Sequence, residues 1–451
     1  MKFKLLIFSL ILLAIVALPR YTLGFYVWHL GDALKVTASM GAKLTCSAKY
    51  VSGFSEQQAK QDLLSYSPAY DLLTITFDDQ TKTVTANMLN IAEYSATFRD
   101  GLGCTLNIGD TQALDEVVIT KPPTTQFPSP WPNGSEVSTI QSDKQTAIDT
   151  LLAQDNAAGL QTRALLWLEN GSIVAESYAE GITPQTPLLG WSMGKSITSL
   201  LIGRMEHLGL ATRSQQQLFS QWSNDPRQHI SIEQLLRMSS GLQFDETYAP
   251  GSSATAMLFL THSASNIALS SPLEHAPNSH FSYSSGTTNL LNRWIHEQLG
   301  SNVQQSYRFF QEQLTQKLNM RHTIFEPDAS GVFVGSSYVY ASARDWARLA
   351  LLVLKKGNWQ GERLLSEDYI QKLAQSNASN NYPGYGYQFW LNNLGDSLMH
   401  STLPKDAFFM LGNRQQIVMI APSSNIAVIR LGWSAGRYPL DKNFSPLLNW
   451  N

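Results

Sequence analysis

Past residue 160 the chain carries strand patterns only at its two ends, and helical patterns fill the interval. Ala164-Leu-Leu-Trp-Leu168 and Ser172-Ile-Val-Ala-Glu-Ser-Tyr178 flank Glu169-Asn170-Gly171, and Asn-Gly between apolar runs predicts a hairpin. Residues 230–375 read as mostly helical, as in Thr288–His296 and Ala343–Val353. Strand patterns return at Tyr387–Leu391, Ile417–Ile420 and Ile426–Leu431, the last two joined by a Pro422-Ser-Ser-Asn425 turn. A parallel sheet would need strands and helices in alternation. This distribution instead predicts an α+β fold: one antiparallel sheet built from both ends, flanked by helices, with a helical subdomain between. No internal repeat is present.

Ahead of this region stands a proline-rich connector, Lys121–Pro132, with five prolines in twelve residues, expected to be extended and semi-rigid. Before it, Leu72–Phe77 and Thr83–Met88 alternate with period two around Asp78-Asp79 and predict a second hairpin. The expected organisation is an N-terminal segment over 1–24, a small domain over 25–118, a linker over 119–139 and a large domain over 140–451. In the first segment Lys2 and Lys4 precede an apolar run from Leu5 to Leu18. At 1.5 Å per residue the run spans about 21 Å as a helix, short of the roughly 30 Å hydrocarbon core. A cleaved secretory signal and an uncleaved anchor, with Phe25–Trp28 at the membrane interface, both remain open. Either one predicts export, to the periplasm or outside the cell. The two cysteines, Cys46 and Cys104, are then expected to pair, with two buried free thiols as the alternative. A formal net charge of −3 with no long basic run gives no footprint for nucleic acid. No metal-binding or nucleotide-binding motif appears, so no cofactor is expected.

The chemistry gathers at Gly190-Trp-Ser-Met-Gly-Lys-Ser196, at the mouth of an apolar helical pattern. Ser192 and Lys195 stand one helical turn apart, so the amine can act as base for the hydroxyl. Burial would lower the lysine pKa, and free N–H groups at a helix start suit an oxyanion. The same serine satisfies Gly-x-Ser-x-Gly, the nucleophile elbow of a different fold. That elbow needs a buried parallel strand before it, and Thr183-Pro-Gln-Thr-Pro187 leaves no room for one. Histidines such as His275, His280 and His400 have no context that makes any of them its base. Further on, Phe281-Ser-Tyr-Ser-Ser-Gly286 places Tyr283 in a turn before a helix, where a phenol can relay a proton.

Together Ser192-x-x-Lys195 and Tyr283-Ser-Ser resemble the first two motifs of the penicillin-recognising serine hydrolases, which include class C β-lactamases, DD-peptidases and aminohexanoate-dimer hydrolases. Leu235–Leu242 with Phe244-Asp-Glu246, Ala341–Arg348 and Asp406–Gln416 are similar to segments of the aminohexanoate-dimer branch. The resemblance covers residues 140–440. It implies Ser192 as the acylated nucleophile, Lys195 as its base and Tyr283 as the proton shuttle. The third motif aligns with Asn413-Arg-Gln415, which puts the two oxyanion donors at Ser192 and Gln416. Asn413 stands where the family carries lysine, Gln415 where it carries glycine, and Ser285 where β-lactamases and peptidases carry asparagine. Asp245, Glu246, Asn413 and Arg414 are the candidate substrate-binding residues. These departures weaken the case for penicillin substrates and leave ester or amide hydrolysis intact.

The expected protein is an exported serine hydrolase acting on a small or peptide-like ester or amide. The alternatives are a DD-peptidase or β-lactamase acting on cell-wall or β-lactam substrates, and a non-catalytic binding or scaffold protein on the same fold.

Overall fold

A computed structural model describes residues 24–120 and 129–450. The apolar N-terminal run and residues 121–128 of the proline-rich stretch lie outside the described residues. Among the described residues no helix is long and apolar enough to cross a membrane.

Residues 24–120 build helix α1 (Leu30–Tyr50) and an antiparallel meander of β1 (Leu73–Asp78), β2 (Thr83–Met88), β3 (Ala92–Arg99) and β4 (Gly103–Leu106). The β1–β2 hairpin is the expected one, with Asp78 capping its turn through the Gln80 N–H, 2.9 Å. Val84, Ala86 and Met88 alternate inward onto α1, which meets them with small residues. At Gly41 an added Cβ would lie 2.6 Å from Leu73 Cδ1 and 3.3 Å from Ala86 Cβ, so the absence of a side chain lets the meander pack closely there. Cys46 of α1 and Cys104 of β4 form a disulfide, Cα–Cα 6.1 Å, as expected. The sequence patterns missed α1 itself, because it is buried on two sides and has no polar face. Its second side carries Lys43, whose ammonium pairs with Glu326.

The large sheet comprises β5 (Thr162–Glu169), β6 (Ser172–Tyr178), β7 (Trp390–Leu391), β8 (Phe408–Gly412), β9 (Gln416–Ala421) and β10 (Ile426–Gly432). Its order is β7-β8-β9-β10-β5-β6, antiparallel throughout. The pairing of β10 with β5 joins the two ends of the region. Period-two alternation divides the side chains between two layers. Leu165, Trp167 and Val428 pack under α2 (Ser142–Ala157) and the C-terminal helix Leu440–Leu448. Leu166, Leu168 and Ile429 face α3 (Gly194–His207) and α5 (Ala343–Leu354), with α4 (Ser285–Gln298) in the helical region beyond.

Two expectations need correction. The strand expected over Tyr387–Leu391 begins only at Trp390. Gln388 takes a left-handed φ of 60° and donates from its backbone N–H to Leu236 O, 3.1 Å, which breaks the extended run. The described end of the linker is also no free connector. Trp131 Nε1 donates to Gly171 O at 3.0 Å, and Arg348 donates to Pro132 O at 3.0 Å and Gly134 O at 2.8 Å.

Candidate active site

The strand Leu188–Leu189 pairs antiparallel with Val339–Ala341 and delivers the chain to a tight turn, Trp191–Met193, that opens α3. This is not the parallel strand that a nucleophile elbow requires. Trp191 is held at a φ of 48°, and Ser192 follows it at the start of the helix. Lys195, one turn along, is 1% exposed. Its Nζ donates to Ser192 Oγ at 3.1 Å, to Ser285 Oγ at 2.9 Å and to Ser336 O at 3.0 Å. Burial lowers its pKa to about 8, and the nearby Glu246 carboxylate limits the drop. A substantial neutral fraction therefore exists near pH 8, as a base requires.

Ser285 is the hub of the site. It accepts from Lys195, donates from Oγ to Glu246 Oε1 at 2.5 Å, and donates from its backbone N–H to Glu246 Oε2 at 2.7 Å. Tyr248 donates to the same Glu246 Oε1, 3.1 Å. Tyr283 turns its ring face to Lys195, with Nζ 4.8 Å from the ring centroid. Burial raises the Tyr283 phenol well above its ordinary range, Tyr385 and Glu246 add to the rise, and hydrogen bonding with Ser192 opposes it. Tyr248 is half exposed, and its phenol is raised by partial desolvation and by Glu246, again with Ser192 in opposition. Two phenols thus stand beside Ser192, both protonated at neutral pH. Tyr283 also joins an aromatic wall, 6.0 Å from the Tyr385 centroid and 5.1 Å from that of Trp390.

The hairpin β8–β9 packs against the turn of Ser192. A Cβ on Gly412 would fall 2.1 Å from Gly190 O, so glycine is required there by approach. Alternate residues of a strand turn their N–H and C=O to opposite edges. Asn392 N–H donates to Ala407 O, 2.9 Å, which directs Ala407, Phe409 and Leu411 to the outer edge of β8. There β7 pairs only with Phe409 and Phe408, so the N–H of Leu411 lies beyond the end of that partner strand. Gln416 stands opposite Gly412, and by the same alternation its N–H turns into the hairpin. Its side chain is also engaged, Oε1 accepting from Gly432 N at 3.0 Å. This corrects the motif alignment: the edge donor at this hairpin is Leu411, not Gln416.

The geometry sets a buried lysine amine against a serine hydroxyl at the start of a helix, with a strand hairpin packed beside them. The family model described as Beta-lactamase matches residues 145–440. The chain belongs to the beta-lactamase family. Among curated proteins no relative matches it. Among solved structures, this beta-lactamase-family chain is similar to a Bacillus anthracis protein provisionally assigned as a 6-aminohexanoate-dimer hydrolase. That match has a TM-score of 0.55 and 19% identity over 66% of this chain and 80% of the other. A class C beta-lactamase matches with a TM-score of 0.52 and 13% identity, over 70% of this chain and 99% of the other. A penicillin-binding protein homologue from Caulobacter crescentus gives 0.51 and 15%, over 66% and 94%. At these identities the likeness is one of fold.

The remaining candidates of this beta-lactamase-family chain are placed as follows. Asp245 accepts from Thr247 N at 2.9 Å and Thr247 Oγ1 at 2.7 Å, shaping its own loop. Glu246 is in the site, but it holds Ser285 and Tyr248 rather than an open position. Asn413 begins the hairpin turn. Arg414, expected at the substrate, is buried, with its guanidinium 3.6 Å above the Tyr66 ring. His275 and His280 stack on each other at 4.1 Å, and His400 pairs with Asp441 at 2.7 Å. Sequence reasoning missed Tyr248, whose only signal was the Glu246-Thr-Tyr248 spacing, and treated Ser285 as a departure.

Proposed function

We propose that the chain is a serine hydrolase that cleaves esters or amides through an acyl-enzyme on Ser192. The observation that carries the reading is the buried Lys195 amine, 3.1 Å from Ser192 Oγ with its pKa lowered to about 8. Neutral Lys195 takes the hydroxyl proton as Ser192 Oγ bonds to the carbonyl carbon. The N–H groups of Ser192 and Leu411 hold the resulting oxyanion. On collapse the carbonyl–leaving-group bond breaks. The leaving alcohol or amine receives the proton from Lys195 by way of Tyr283 or Tyr248. Water then enters, gives a proton to the same base, and releases the acid and free Ser192.

Glu246 fixes Ser285 as an acceptor for Lys195, which keeps the amine aimed at Ser192. The substrate reading follows from charge. Asn413 replaces a lysine, and Arg414 is occupied with Tyr66, so a substrate carboxylate has no cation to meet at this hairpin. Tyr283, Tyr385 and Trp390 offer an aromatic wall instead. The preferred substrate is a neutral ester or amide with an apolar portion, ahead of a penicillin or a peptide carboxylate. The disulfide and the charged, apolar N-terminus support work in an exported compartment, with residues 1–24 as signal or anchor. Residues 25–118 act as an accessory domain to the catalytic one.

The test is intact mass after exposure to a fluorophosphonate, with turnover of short-chain nitrophenyl esters read in parallel. One adduct and turnover are expected in wild type, both lost in Ser192→Ala. A folded wild-type protein that gains no adduct would move the assignment to a binding role.

A further inference from the structure

Two turns frame the reacting serine, Trp191–Met193 and the hairpin loop Asn413–Gln415. Both contain non-glycine residues in the left-handed region: Trp191 at φ 48°, Arg414 at 58° and Gln415 at 62°. Such conformations persist only where the surroundings hold them. Arg430 Nη1 holds the Gln415 carbonyl at 2.6 Å, and Gln415 Oε1 accepts from Tyr438 N at 3.2 Å. The Arg414 side chain has a different support. Its buried Nε lacks a hydrogen-bond partner. Its charge rests on the ring of Tyr66, 3.6 Å away.

Tyr66 comes from the N-terminal part of the chain, outside the region that the family model matches. Its ring also meets Trp191 edge-on, centroids 6.4 Å apart at 74°, and Trp433 at 5.7 Å and 90°. Trp433 fastens the segment that carries this ring to the large domain. Its Nε1 donates to Asp62 O at 2.9 Å and Ser65 Oγ at 3.0 Å, while Asp62 pairs with Arg163 at 2.5 Å. One aromatic ring therefore touches the residue before the nucleophile and the residue at the tip of the oxyanion hairpin.

We propose that Tyr66 is a positioning residue of the hydrolytic site. Its ring sets the spacing between the Ser192 turn and the Leu411 hairpin, and the N-terminal part thereby completes a site whose reacting groups all lie elsewhere. The proposal rests on the hydrolase reading above. It follows that the ring, which makes the contacts to Trp191, Trp433 and the Arg414 guanidinium, carries the effect and outweighs the hydroxyl.

The experiment compares wild type, Tyr66→Phe, Tyr66→Leu, Arg414→Met and the Tyr66→Leu/Arg414→Met double variant in the full-length protein. Fluorophosphonate labelling rate, nitrophenyl ester kinetics and thermal unfolding are read for each. Tyr66→Leu is expected to lower labelling rate and kcat roughly tenfold or more, because small displacements of a reacting geometry are costly. KM should stay within about twofold, the mark of an interaction felt in the transition state. Tyr66→Phe restores wild-type rates, and Arg414→Met adds little to Tyr66→Leu. A folded Tyr66→Leu with wild-type kcat, or a Tyr66→Phe as slow as Tyr66→Leu, overturns the proposal. If Tyr66→Leu does not fold, Arg414→Met decides: a lower kcat at unchanged KM supports the proposal, and an unchanged kcat overturns it. Failure of the hydrolase reading looks different, since wild type itself then takes no adduct or Ser192→Ala keeps one.

Discussion

Lys195 holds its ammonium among three oxygen acceptors inside the protein, and burial outweighs the Glu246 charge in setting its pKa near 8. Activity that depends on the neutral amine should rise with pH and level off above about 8. Glu246→Gln removes the charge that favours the ammonium, so the rise should move to lower pH; an unmoved profile would exclude Glu246 from the electrostatics of the base. Lys195→Met should reduce fluorophosphonate labelling at least ~100-fold, in the range for loss of a positioned general base. Stability carries a signature of the same sign. The unfolded lysine titrates at 10.5 and the folded one near 8, so between these values the unfolded chain binds more protons. Wild type should therefore gain stability relative to Lys195→Met as pH rises through that window, by up to roughly 3 kcal/mol, checked by urea denaturation at pH 7 and pH 10. At this scale Ser192 and Lys195 were legible because their relation is local, one helical turn. The link from Ser285 to Glu246 crosses 39 residues, and no local pattern carries it.

The elements show where local signals suffice and where register intervenes. The Asn170-Gly171 hairpin, the Pro422–Asn425 turn and α3 follow from turn chemistry and periodicity, and each stands where the sequence placed it. The β8–β9 hairpin does not. Whether Leu411 or Gln416 offers its N–H depends on which edge of β8 is free, which β7 decides from another part of the chain. Gly412 gives a direct test of the packing of hairpin on helix. Gly412→Ala would put a Cβ 2.1 Å from Gly190 O, and backbone there has no soft way to yield. Overpacking of this kind costs about 1–3 kcal/mol, and the displaced hairpin should also slow labelling of Ser192. A Gly412→Ala protein with wild-type stability and labelling would show that the approach is looser than the structure has it.

Across the whole molecule, the N-terminal part is bound to the large domain by charge as well as by apolar packing. Lys43 of α1 pairs with Glu326, both fully buried, and Glu326 also accepts from Cys104 N at 2.7 Å and Ser47 Oγ at 2.8 Å. Lys43→Met leaves a buried carboxylate without its cation and should cost about 3–5 kcal/mol, whereas Lys43→Met with Glu326→Gln should cost less. Equal losses in the single and double variants would argue against a paired charge. The disulfide closes a loop of sequence separation 58, and its reduction should destabilise the fold by about 4 kcal/mol on the loop-entropy account, read as denaturation with and without reductant. The sequence placed a unit boundary at the proline-rich stretch, but nothing in its local pattern reported that α1 would be buried between the meander and residues of the large domain such as Phe259 and Glu326.

The sequence by itself determined the α+β class, the joining of the two ends of the large domain in one antiparallel sheet, the cysteine pair and the closeness of Ser192 to Lys195. These rest on periodicity, turn chemistry and short spacings, all of which act within a few residues. Only the tertiary structure decided the Glu246–Ser285–Tyr248 cluster, the outward N–H of Leu411, the withdrawal of Arg414 onto Tyr66 and the ion pair beneath α1. Each of these is a contact between distant segments, and its geometry is set by packing and register, which exist only once the chain has folded.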